Sequence, residues 1–171
     1  MKIIFCSSVY SNEEIIRLIK KFKPKVVAID APLSIPKGRK SLDERSNIHF
    51  RKCDLELRKM GIKFFPITLG PMRNLTKRGI KIKNILEKMG FTVIETFPGG
   101  VQDILNIPRK TKGKEKLYDG LKKLGIKGLK KSFNHDELDA ITCAIVAKFF
   151  DEGNYLEIGD KDEGTIILPK K

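Results

Sequence analysis

Asp136 and Asp139 stand three apart in HDELDAITCAIVA (135–147). On a helix that spacing places both carboxylates on one face, where they can converge on a single cation. The same face continues through Ala140, Cys143, Val146, Ala147 and Phe150, a small apolar stripe of the kind that packs on a sheet. Acids in a first helical turn also complement the helix dipole by ~0.3–1 kcal/mol, which accounts for their place at the start of the helix but not for their side. Asp30 closes the apolar run Val26-Val27-Ala28-Ile29. Such a run reads as a parallel strand buried on both faces, and ligands of open α/β sheets bind beyond the carboxyl ends of strands. A turn aspartate before Ala-Pro is the plainer account of the same residue. Glu95 shares a strand side with Val93 and Phe97 by the two-residue period. Inward it needs a partner, and an edge strand with Glu95 in water fits the period equally well. Together Asp30, Asp136, Asp139 and Glu95 make a candidate cluster for a hard divalent cation, Mg²⁺ or Mn²⁺. Such ions take oxygen ligands and can activate water against a phosphodiester. No GxSxG, Cys–His arrangement or Walker loop competes with them.

The elements that must carry these acids are legible as an alternation. Lys2 to Tyr10 reads as a strand. Ser11 with Glu14 forms a capping-box pattern, followed by Ile15, Ile16, Ile19 and Phe22 at helical spacing, and Pro24 ends that helix. Phe50 to Met60 and Arg73 to Met89 read as helices stopped by Gly61 and Gly90. Phe91 to Phe97 reads as a strand stopped by Pro98-Gly99-Gly100, Lys112 to Leu124 and Asp136 to Phe150 as helices, and Glu163 to Pro169 as a last strand. Strands alternating with helices give an α/β domain.

The chain has 171 residues, with 40% hydrophobic and 33% charged. That length suits one domain, 1–171, with a helical insertion at about 37–90. No apolar run reaches the ~18 residues of a membrane span, and the opening MKIIFCSSVYSNEE lacks the order of a signal peptide. A soluble, cytoplasmic protein without membrane partners is expected. Cys6, Cys53 and Cys143 are odd in number and without a CxxC pair, so neither a disulfide framework nor a zinc site is indicated. The net charge of +14 invites polyanions, nucleic acid first. Lysine- and isoleucine-rich, glutamine-poor chains of thermophiles show a similar excess.

The blocks IDAPLSIP (29–36), RKCDLELRKMGI (51–62), GPMRNLTKRG (70–79), IETFPGG (94–100), HDELDAITCAIVA and EGTIILP (163–169) resemble, in this order, domain-of-unknown-function family 429, described as predicted nucleases with an RNase H-like fold. HDELDA is also similar to the D-x-x-D-A helix of bacterial Holliday-junction resolvases. The resemblance implies a mixed sheet flanked by helices. It places Asp30 as the acid of the fourth strand, Asp136 and Asp139 as those of the carboxyl-terminal helix, and Glu95 with Pro98 in the strand-five motif. Arg51, Asp54 and Arg58 match its R-x-x-D-x-x-x-R helix. It also implies a first strand with a further catalytic Asp. This chain opens at what matches the third strand, with no acid before Glu13, so either the amino terminus is truncated, with an apolar strand ending in Asp expected upstream, or this copy lacks that strand.

Arg39, Lys40, Arg45, Arg51 and Arg58 gather around the loop after Asp30. Arg39, Arg45, Arg51 and Arg58 are the candidate phosphate contacts, since Arg pairs suit bidentate phosphate recognition. On a helix they can equally pair with Asp54 and Glu56. Lys110, Lys112, Lys114 and Lys116 read as a solvated run. Aromatic residues are 8% of the chain and Trp is absent, so a base-stacking platform has little support. The expected function is a metal-dependent nuclease. A non-catalytic nucleic-acid-binding module of the same fold, or a metal-dependent enzyme on a small phosphorylated molecule, are the alternatives. The oligomeric state, a dimer included, stays open.

Overall fold

The amino-terminal helix begins where its sequence says it should. In the computed structural model, which describes residues 1–170, Ser11 caps α1 (Asn12–Phe22) by accepting from the Glu14 amide, and the Glu14 carboxylate accepts from the Ser11 amide in return. Lys23 leaves the helix in the left-handed region, and the chain runs directly into β1 (Val26–Ile29). The loop 31–50 follows, tied down by Arg39, whose guanidinium donates to the carbonyls of Ser41, Leu42, Glu44 and Ile48. Helices α2 (Lys52–Lys59) and α3 (Gly70–Lys88) come next, then β2 (Thr92–Glu95). Pro98-Gly99-Gly100 does more than stop that strand. Proline is favoured in a first helical turn, and here it opens α4 (Pro98–Ile104), a helix the sequence reading missed. A 3-10 turn (Lys110–Lys112), α5 (Lys114–Lys123) and α6 (His135–Asp151) complete the helices. The chain ends in the hairpin β3 (Tyr155–Asp160) and β4 (Gly164–Pro169); only its second strand was expected.

The α/β alternation holds, and the single mixed sheet does not. Two separate pairs form: β1 with β2, parallel, and β3 with β4, antiparallel. In the first, Ile29 is opposite Glu95, so Asp30 and Glu95 emerge at the same, carboxyl, end. A bond from Thr96 Oγ1 to the Ile167 carbonyl (2.8 Å) links the end of β2 to β4.

Two further expectations need correction. Lys2 to Tyr10 is not a strand but an irregular segment whose one β-bridge is Lys2 to Lys127; Ile3 and Cys6 pack on the core around α5 and α6, and Phe5 lies against Phe22. Beyond it Ile4 is 82% exposed and Tyr10 also lies in solvent; with no neighbouring strand, extended backbone has nothing to pair with. Nor is β1 buried on both faces. All its residues are only half-buried, because among the described residues β2 is its one strand neighbour.

Two cores meet on α6. Cys53, Leu57, Ile94, Val101, Val146, Ile166 and Leu168 fill the space among the sheets, α2, α4 and α6. Leu117, Leu121, Leu138, Ile141 and Ile145 join α5 to the opposite side of α6. Leu117, Leu121 and Leu138 are fully buried, each contributing ~1.5–3 kcal/mol. This two-sided burial fixes the rotation of α6 and therefore where its first-turn acids point. The three cysteines are free. Among the described residues no helix is long and apolar enough to cross a membrane.

Candidate functional site

Three elements converge at the carboxyl end of the parallel pair. β1 delivers Asp30, α6 delivers Asp139 one turn in from its amino end, and α4 delivers Gln102. Asp139 is 4% exposed. Its Oδ1 accepts from Gln102 Nε2 (2.9 Å), and its Oδ2 lies 2.6 Å from Lys110 Nζ in the 3-10 turn. Asp136 goes the other way: its side chain is 91% exposed, and Lys110 Nζ reaches its Oδ1 only at 3.9 Å. The i,i+3 spacing thus brings one acid into the lining of the cleft and leaves the other on the surface beside Lys110.

Asp30 has no hydrogen-bond partner among the described residues. Crowding by the surrounding chain, then the negative charge of Asp139, pushes its carboxyl up to about 7; Asp136 and Glu95 add to this and Lys110 opposes it. The Asp30 side chain is nonetheless open to solvent, and water moderates both effects, the burial and the repulsion from its neighbours. Lys110 loses some solvent, which pulls its ammonium down, but the bond to Asp139 and the acids around it outweigh that and hold it up. It stays a cation. The Cys143 thiol behind the acids is held protonated by burial and by Asp30 and Asp139, so it offers no thiolate.

Glu95 points inward, and its partner is Arg51. The guanidinium clamps it with Nη1 to Oε2 and Nη2 to Oε1, both 2.7 Å, and the Leu33 amide donates a third bond at 2.7 Å. Arg51 also holds Asp54 (Nη2 to Oδ1, 2.9 Å) and Ser34 Oγ (3.1 Å). Every one of these charges is buried. Loss of water raises the Glu95 carboxyl, and Arg51 and the Leu33 amide work against that rise. The group locks β2, α2 and the loop after Asp30 to one another, and its arginine has no free edge for a phosphate.

The other arginines divide similarly. Arg39 is buried as the staple of loop 31–50. Arg58 lies over the Phe50 ring at 4.2 Å, and Arg45 is exposed on the surface. The residues that sequence reasoning passed over are Lys110, Gln102, Lys63, Arg109 and Lys112. All five line one cleft of about 930 Å³ together with Asp30, Glu95 and Asp139. Lys110 and Lys112 belong to a run whose sequence is that of a solvated surface, and nothing in a lysine-rich stretch marks the one that turns toward an acid.

The donor chemistry suits a hard cation: Asp30 and Asp139 supply carboxylate oxygens, and Mg²⁺ keeps several waters and needs only one or two carboxylates. Among the described residues no three Asp, Glu, His or Cys side chains are grouped to hold a metal. Compared with family models, curated proteins and solved structures, the chain has no match.

Proposed function

We propose that the chain is a divalent-cation-dependent hydrolase of phosphodiester bonds in nucleic acid, with an RNase H-like arrangement of its parallel strands and carboxyl-terminal helix. One observation carries the reading: Asp30, an acid without a hydrogen-bonding partner among the described residues, lines the same lysine-rimmed cleft as the buried Asp139. Asp30 and Asp139 would hold the cation, with the exposed Asp136 outside the cleft lining. The ion, Mg²⁺ or Mn²⁺, would make a bound water more acidic and offset charge on the leaving oxygen. Gln102 orients Asp139 through Oδ1. Lys63, Lys110 and Lys112 supply the positive potential that attracts a phosphate backbone.

The test is cleavage of branched, single-stranded and duplex substrates with Mg²⁺ or Mn²⁺ by the wild type, Asp30→Asn and Asp139→Asn. Cleavage that both substitutions abolish supports the reading. Equal cleavage by all three proteins ends it. A second reading, a nucleic-acid-binding module without catalysis, is favoured by the ion pair between Lys110 and Asp139, which already neutralises the buried acid. It requires salt-sensitive binding that is indifferent to metal and to Asp139→Asn.

A further inference from the structure

The floor of the cleft is polar, but one wall is not. The loop between α2 and α3 carries Lys63, Phe64 and Phe65 in succession. Phe64 is anchored, edge-on to Phe50 with ring centroids 6.2 Å apart and packed on the core. Phe65 is free: it lines the cleft and is 71% exposed. Met72 and the exposed Leu75 extend the wall along α3, and Phe97 faces the same space from the end of β2. Leaving a phenylalanine ring and its apolar neighbours in water marks a surface that binds something.

The charges around this wall select what that is. Lys63 stands two residues before Phe65 and Lys112 is in the same lining; both are exposed, and neither forms an ion pair among the described residues. Arg109, by contrast, is committed to Asp103 and to the Lys63 carbonyl. An exposed ring flanked by free cations matches a flat apolar base joined to an anionic phosphate. In a duplex the base faces are stacked on one another and cannot reach a ring inside a concave cleft. In a single strand each base has a free face, and stacking on aromatic side chains beside a positive groove is how such strands are held. A cleft of about 930 Å³ lies near the top of the range for sites that enclose small ligands, which suits one or two nucleotides and not a helix.

We infer that the cleft binds unpaired nucleotides, with a base stacked on Phe65 and the adjoining phosphate between Lys63 and Lys112, so that the substrate class is single-stranded nucleic acid. This rests on the hydrolase reading for the choice of ligand, and the two separate in experiment. The full chain is titrated, in EDTA so that nothing is cleaved, into a fluorescent oligothymidylate and into a duplex of equal length. Phe65→Ala is compared with Tyr10→Ala, an exposed aromatic outside the cleft. Tighter binding of the single strand, weakened about tenfold or more by Phe65→Ala and unchanged by Tyr10→Ala, supports the inference. A Phe65→Ala affinity within about twofold of wild type, a scatter well below the cost of a lost stack, overturns it. So does a duplex that binds equally well and loses as much. Phe65-dependent binding without cleavage of any substrate in metal supports the inference and removes the hydrolase reading. Cleavage that needs Asp139 but ignores Phe65 does the reverse. If Phe65→Ala instead dissolves a dimer and spares oligonucleotide binding, the wall is a protein interface and the inference fails.

Discussion

Lys110 holds the place a cation would need, and replacing it with methionine should make the site a better cation binder. Its ammonium lies 2.6 Å from Asp139 Oδ2, and metal binding at that carboxylate must first break this bond. A hydrogen bond between charged groups contributes roughly 1.5–3 kcal/mol. Here the Lys110 side chain is 45% exposed although Asp139 is buried, so solvent screening trims the figure to about 1–2 kcal/mol. That release converts to Mn²⁺ binding about 5- to 30-fold tighter in Lys110→Met, at 1.4 kcal/mol per decade. Gln102 still holds Oδ1, so the acid keeps its direction. In EDTA the variant should melt below wild type, because a buried carboxylate has lost its counter-ion, and Mn²⁺ should restore it more than it restores wild type. Calorimetric titration with Mn²⁺ and paired melts with and without EDTA read both effects. Unchanged or weaker Mn²⁺ binding by Lys110→Met, or identical melts with no metal rescue, would refute the reasoning.

Three other perturbations follow from the same geometry. Asp30 takes its proton more readily folded, with a pKa of about 7, than at its ordinary value of 3.8; the native state therefore binds more protons between these values, and stability falls as pH rises through that window. Asp30→Asn should flatten the fall and melt higher than wild type at pH 8, and a lower melt there would show that the Asp30 charge is not strained. Arg51→Met leaves Glu95 and Asp54 buried without their cation and should cost about 3–5 kcal/mol in chemical denaturation, with Glu95→Gln in the same chain recovering part of it; additive losses would mean the clamp is not a unit. Gly79→Ala should destabilise by about 1–3 kcal/mol despite alanine's better helix propensity, because a Cβ there would sit 2.9 Å from the Pro32 carbonyl and 3.0 Å from Ala31 Cβ; a stabilised variant would mean that α3 shifts freely away from the loop beside Asp30.

The parts of the fold that the sequence states plainly are those set by local rules. Ser11 and Glu14 define a helix start whatever lies around them, and α1 begins there. The Leu117 and Leu121 spacing gives α5 a buried face, and both leucines are fully buried. What failed depended on a neighbour. Lys2 to Tyr10 has the alternation of a strand but only one bridge to pair it, and Val26 to Ile29 has the composition of a central strand but stands at the edge of a pair. Pro98 is equally good punctuation for the end of a strand and the start of a helix; only the packing of Val101 and Gln102, both buried, decides for the helix.

The site divides along the same line, and charge shows why. Sequence spacing says that Asp136 and Asp139 share a face; it does not say how wide the buried part of that face is. Leu138, Ile141 and Ile145 dock on α5 while Val146 docks on the sheet, and the turn of helix left between them has room for one inward acid. Burying that acid required donors, which came from Gln102 and Lys110, residues 37 and 29 positions away that carry no motif. Glu95 met the same demand with Arg51, and this is the reason the arginine most suggestive of phosphate binding is the least able to do it. Asp30, open to solvent at the edge of the same cluster, has no such partner among the described residues. Two carboxylates of one cluster were thus satisfied by the fold itself; under the proposed function Asp30 is the cation's open ligand while Lys110 competes with it at Asp139, and substitution of Asp30 should move proton and metal binding together.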